Sequence, residues 1–227
     1  MRIVIAGAHG QIARRLGRLL TTRGDTVVGI IRNPAHESDV VGDGVDPVVL
    51  DLETARPEQV EAAVRDADAV VFAAGAGPGS GIRRKDTVDR GAAVLLADAA
   101  ERAGVRRYLL VSSMGVEAVA DGATPEGVDE VFVAYLRAKL AAEQDLLARA
   151  GLATTVVRPG GLTDDPGTGR VTLARNVPRG SVPRDDVAAV LVALLDAASD
   201  GAVLELVGGD TPVDEAVVAA LSPDAPG

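Results

Sequence analysis

Short, near-continuous apolar runs alternate with longer segments of helical periodicity from the first residues of the chain. Residues 2–6 (RIVIA) form a β-branched run that stops at Gly7. Residues 11–23 put Ile12, Leu16, Leu19 and Leu20 on one helical face, with Arg14, Arg15 and Arg18 mostly off it. Runs at 26–31, 47–50 and 69–73 predict the second to fourth strands, with a helix over 57–66 before the fourth. An Ala-rich helix is expected over 84–103 and a fifth strand over 106–112. A second long helix follows over 129–150, with Gly151 as its C-cap. A sixth strand over 153–157, a helix over 184–197 after Pro183, and a last strand over 202–207 complete the pattern. Apolar strands each followed by a helix mean a parallel sheet covered on both faces, with right-handed crossovers. No repeat or linker interrupts residues 1–221, so one domain is expected, and the Pro-rich tail 222–227 should fray.

Composition then narrows the chemistry. Hydrophobic residues make up 47% of the 227, enough for a core, but aromatics only 2%: Phe72, Tyr108, Phe132 and Tyr135. Ala, Val, Leu and Ile must fill the interior. Of 23 basic residues only Lys85 and Lys139 are lysine. A net charge of −10 argues against a broad nucleic-acid surface. The absence of Cys removes thiol chemistry, and two scattered His make a metal site improbable. The first apolar run is too short for a signal peptide, and none reaches the ~18 residues of a membrane span. The expectation is a cytoplasmic protein, monomer or homodimer, that acts on a small molecule.

The turn after the first strand reads Gly7-Ala8-His9-Gly10-Gln11-Ile12-Ala13 and opens directly into a helix. Two glycines for a tight turn and close backbone approach, a small Ala13 for helix–strand packing, and a helix N-terminus together suit a pyrophosphate. The bland alternative is an ordinary β–α turn. His9 is a poor base here and fits a positioning role. At the end of the second strand, where an acid would select the 2′-hydroxyl of NAD, stands Arg32. Its fork suits a 2′-phosphate, so NADP is expected over NAD unless the side chain is merely solvated. Asp51 closes the third strand and can face an adenine amino group or shape a turn. Ala73 to Gly77 lack bulk, as a strand end against a ribose would.

Tyr135 and Lys139 lie four apart and share a helix face. A phenol has a pKa near 10, and a neighbouring ammonium stabilises its anion, so the pair suits proton transfer to a carbonyl oxygen. Ser112 and Ser113 end the preceding strand, where a hydroxyl can polarise that oxygen.

At this point the constellation resembles the short-chain dehydrogenase/reductases, in their atypical, NmrA-like NAD(P)H-binding branch. The marks are Gly7-x-x-Gly10-x-x-Ala13, Val111-Ser112-Ser113-Met114-Gly115, Tyr135-x-x-x-Lys139, Val157-Arg158-Pro159-Gly160-Gly161-Leu162 and Thr163 to Gly169. The resemblance implies a doubly wound Rossmann sheet of order 3-2-1-4-5-6-7. It makes Ser113 the catalytic serine, puts Ser112 nearer the cofactor, and sets Pro159 and Gly160 against the nicotinamide. The catalytic set is then Tyr135, Lys139 and Ser113. The cofactor-binding set is Gly7, His9, Gly10, Gln11, Ile12, Arg32, Asp51, Leu52, Ala74, Gly75, Ser112, Lys139, Pro159 and Gly160. The usual catalytic Asn of the superfamily has no assignable position.

Two long loops, 114–130 and 159–183, are expected to cover substrate, the first of them acidic. Arg83, Arg84 and Lys85 form a small basic cluster that suits a cofactor phosphate, a substrate acid or plain solvation. An NADP(H)-dependent oxidoreductase acting on a carbonyl or quinone-like molecule is the leading reading. A non-catalytic NADP sensor and a sugar epimerase or dehydratase are the alternatives.

Overall fold

The structure, a computed structural model, describes residues 1–77 and 79–222. Its frame is a nine-stranded sheet. The first six strands are β1 (Arg2–Ala6), β2 (Thr26–Ile31), β3 (Asp46–Val49), β4 (Ala69–Phe72), β5 (Arg107–Val111) and β6 (Ala153–Pro159). They lie parallel in the order β3-β2-β1-β4-β5-β6. A two-stranded ribbon of β7 (Gly161–Thr163) and β9 (Ser181–Pro183) brackets β8 (Arg170–Ala174) in the chain. Beyond β6 the main sheet continues through β10 (Val203–Gly208), then β8 antiparallel to it, then β11 (Thr211–Pro212). Counting β10 as the seventh strand, the predicted order holds, with β8 and β11 as an added antiparallel edge.

The two faces of β1 explain the layers. Side chains alternate along a strand, so Ile3 and Ile5 point to one side and Val4 and Ala6 to the other. On the first side Ile3 and Ile5 join Leu16 and Leu20 of α1 (Gln11–Arg23), Leu191 and Leu194 of α7 (Arg184–Asp196) and Val217 of α8 (Val213–Leu221). On the second, Val4 and Ala6 join Val60 of α3 (Pro57–Val64), Leu96 of α5 (Ala93–Arg102) and Leu146 of α6 (Glu130–Leu147). The short α2 (Glu37–Gly42) buries Val40 beside Val45. Tyr108 and Phe72 are the largest fully buried side chains. The Tyr108 hydroxyl donates to the Ala93 carbonyl at 2.9 Å.

Three expectations need correction. The helix predicted to Ala150 ends at Leu147, where α6 closes on Ala148, and Gly151 lies beyond it. Its missing side chain instead leaves room for Glu101. Segment 159–183 is not one open loop, since it contains the strands β7, β8 and β9. Asp186 pins its middle, accepting from the N–H groups of Thr168 and Gly169 and from the Thr168 hydroxyl. Finally, the Ala-rich helix is not a plain α-helix. A short α4 (Ile82–Arg84) runs through a wide π-helical stretch, Lys85–Ala92, into α5. Ser222, the first residue of the expected frayed tail, is hydrogen-bonded back to α8, and 223–227 lie outside the described residues. The pattern-based reading also passed over α2, α8 and the short strands of the C-terminal edge.

Candidate active site

The carboxyl ends of β1, β2, β4, β5 and β6 open onto one cleft, as expected for a sheet whose order reverses at β1. Its two halves share Ala73 to Ala76 as a common floor. One half, a cavity of about 290 Å³, is bounded by Gly7, His9, Gly10, Arg32, Asp51 and Leu52. The other, about 390 Å³, is bounded by Ile12, Ser112, Ser113, Tyr135, Lys139, Pro159 and Gly160. Of the candidate residues only Gln11 lines neither half; its side chain accepts from Arg15.

The floor exists because Gly7 is glycine. Its φ is +80°, and a Cβ there would fall 2.6 Å from the Ala74 Cα. The turn is closed by Gly10 N–H to the Gly7 carbonyl at 2.8 Å and held to β2 by Gly7 N–H to the Ile30 carbonyl at 3.0 Å. Gly10 caps α1 without a side chain, and no acid sits in the first turn. The amide groups there are left facing the cleft with a positive helix end behind them. That is an anion site, and the bulk-free floor beside it fits a dinucleotide.

In the first half, Arg32 is 56% exposed in its side chain and 3.5 Å from Glu53. Glu53 is held more tightly by Arg84 at 2.5 Å and by the Thr87 hydroxyl. The Arg84 hydrogen bond keeps the Glu53 carboxyl below its ordinary range. Asp51 accepts from the Glu53 N–H at 3.1 Å and so shapes the turn after β3, where it lines the cavity. His9 stacks on His36 with ring centroids 3.6 Å apart and bonds Asp39 at 2.9 Å. The basic cluster divides: Arg84 holds Glu53, Arg83 is exposed, and Lys85 enters the second half.

In the second half, α6 presents Tyr135 to the cavity and buries Lys139 below it. Lys139 Nζ donates to the carbonyls of Val111 at 3.0 Å and Ala74 at 3.4 Å. It also lies 3.3 Å from Asp89 Oδ1, a fully buried oxygen without a hydrogen-bond partner among the described residues. Nζ is 5.8 Å from the Tyr135 ring centroid. An ammonium has three protons, and here three oxygens already surround it. The hydroxyl of Ser113 donates to the Met114 carbonyl at 3.1 Å at the cavity wall. That of Ser112 turns away from the cleft, to Glu143.

Asp89, Glu143 and Arg158 are residues that sequence reasoning missed. Glu143 extends the four-residue stride of Tyr135 and Lys139 along α6, a signal that was available. Arg158 forks onto it, 2.5 Å from one oxygen, and also pairs with Glu117. Burial pushes the Glu143 carboxyl upward, against the Ser112 hydrogen bond and the charge on Lys139. The Arg158 fork brings a guanidinium against the same carboxyl and favours its charged form, opposing that burial. Asp89 lay inside an Ala-rich helix and gave no such signal.

A family model described as NAD(P)H-binding matches residues 7–198, and so spans the glycine turn, both halves of the cleft and α7. The chain belongs to this NAD(P)H-binding family. It is 34% identical to a Bacillus subtilis protein named "Uncharacterized sugar epimerase YhfK", over 96% of this chain and 99% of that one. A Bacillus halodurans structure, provisionally named an NAD-dependent epimerase/dehydratase, matches with a TM-score of 0.85 and 34% identity over 96% and 99% of the two chains. The Escherichia coli O157:H7 anaerobilin reductase ChuY matches with a TM-score of 0.77 and 27% identity over 92% and 98%. As a family member the chain carries a nicotinamide dinucleotide site on a Rossmann-type sheet. No helix among the described residues is long and apolar enough to cross a membrane.

Proposed function

We propose that this protein is an NADP(H)-dependent oxidoreductase that moves hydride to or from a carbonyl or quinone-like small molecule. The observation that carries the reading is that one cavity is lined by Tyr135, Ser113, Lys139, Pro159 and Gly160, adjoining the dinucleotide floor. A bound reduced nicotinamide supplies the hydride. Tyr135 holds the proton at its phenol oxygen and gives it to the substrate oxygen. Ser113 Oγ, at the cavity wall, turns its one proton from the Met114 carbonyl to the same oxygen and orients the carbonyl. Lys139 keeps a positive charge under the Tyr135 ring and ties β4, β5 and α6 together. For Lys139 to take a ribose hydroxyl as well, its longest contact, to Ala74, must give way. Arg32 supports NADP over NAD, because its contact to Glu53 is long and its side chain is exposed.

The name of the Bacillus subtilis relative supports a second reading, an epimerase, in which hydride returns to the substrate and no net oxidation occurs. The test is NADPH consumption against aldehydes, ketones and quinones, with Tyr135→Phe as control. Net oxidation lost in Tyr135→Phe supports the reductase. Tight NADPH binding without oxidation favours the epimerase or the sensor, and full activity in Tyr135→Phe overturns the role of the phenol.

A further inference from the structure

The two lysines of the chain flank one ring. Lys139 Nζ lies 5.8 Å from the Tyr135 centroid and Lys85 Nζ 5.5 Å from it. Their surroundings differ. Lys139 is buried and paired with Asp89. Lys85, at the start of the π-helical stretch, is half-buried, and its one polar partner among the described residues is the Gly77 carbonyl at 3.1 Å. Among the described residues lining this half, the charged side chains are Lys85, Lys139 and Asp89. The pair of Lys139 and Asp89 cancels, so the cavity keeps one positive charge inside a protein of net charge −10. Asp86, the acid next to Lys85 in the chain, is paired with Arg90, and Glu117 is paired with Arg158.

The same mouth is apolar. Phe132 stacks on Tyr135 at 5.7 Å yet is 48% exposed, Leu162 of the cavity wall is 39% exposed, and Ile82, one helical turn before Lys85, is 51% exposed. Exposed apolar groups gathered around a convergent charge mark a ligand of matching chemistry.

We propose that Lys85 receives the carboxylate of the substrate, so that the enzyme acts on carbonyl compounds with an apolar body and an acidic group. This rests on the oxidoreductase reading and adds the substrate class to it. An acid is drawn to this one spot although the whole protein repels it, which gives selectivity against neutral carbonyls.

The experiment compares benzoylformate, benzoylpropionate and benzoylbutyrate with their methyl esters. Binding to the NADP⁺ complex is measured by calorimetry and reduction by NADPH consumption. We expect at least one acid to bind and react about ten-fold better than its ester. Lys85→Met should remove that preference, Lys85→Arg should keep most of it, and neither should change NADPH affinity. Esters equal to acids in the wild type, no acid binding at millimolar concentration, or a ten-fold loss of NADPH affinity in Lys85→Met each overturn the proposal. Acid preference in binding without any NADPH consumption would keep Lys85 and sink the oxidoreductase. Consumption without acid preference would do the reverse.

Discussion

Tyr108 and Tyr135 carry the same phenol in opposite surroundings. Burial pushes Tyr108 well above the ordinary phenol range despite the opposing charge of Arg149, and its hydroxyl is fixed on Ala93. Tyr135 opens to the cleft between two ammonium groups. Replacing it with Phe is expected to lower kcat by about 10²-fold or more while NADPH affinity stays, as steady-state rates beside fluorescence titration will check. Arg32→Ala should weaken NADPH by about ten-fold and leave NADH nearly unchanged, measured as two dissociation constants. Tyr135 and Lys139 were legible because both residue types are scarce and sit four apart. Lys85 was legible only as part of a cluster, since sequence does not say which of three adjacent cations turns inward. The Lys139–Asp89 pair was invisible, because it joins α6 to another helix across the sheet end.

At the level of elements, the π-helical stretch and the strands after β6 decide what the cleft can hold. The wide turns carry Asp89 to Lys139 and Lys85 to Tyr135 from one segment. No apolar period distinguishes such a stretch from an α-helix, which is why Ala-rich 84–103 read as one plain helix. The segment 159–183 read as a loop because its strands are only three to five residues long and the stretches between them are rich in Gly and Pro. Its order depends on Asp186, whose oxygens accept three hydrogen bonds while buried. Asp186→Ala should cost about 3 kcal/mol and lower Tm by about 6–12 °C, measured by calorimetry. Glu53 gives a pH signature. Its folded-state pKa is held below the ordinary 4.5 by Arg84, so its contribution is complete above that value and is lost as pH falls through the lower one. Glu53→Gln should therefore flatten the acid limb of stability below about pH 4.5, read by denaturant unfolding across pH.

For the whole molecule, the fold followed from apolar strands alternating with helices, and the strand order followed from the resemblance. What escaped were the short strands of the C-terminal edge: β8 alternates, burying Val171 and Leu173, but over only five residues, and β11 has two. A family member with this cleft should be stabilised by its cofactor. NADPH at about 100 times its Kd contributes about 2.7 kcal/mol, a Tm rise of about 5–10 °C, and NADH at the same concentration should give less. The central claim is that hydride crosses this cleft to a carbonyl carbon beside Tyr135. The measurement that tests it most directly is single-turnover reduction with NADPH deuterated at one or the other face of C4, with mass spectrometry of the alcohol. Deuterium is expected in the product from one face only, and none within the same time from Tyr135→Phe. Product without deuterium from either face, or equal labelling by Tyr135→Phe, would contradict it.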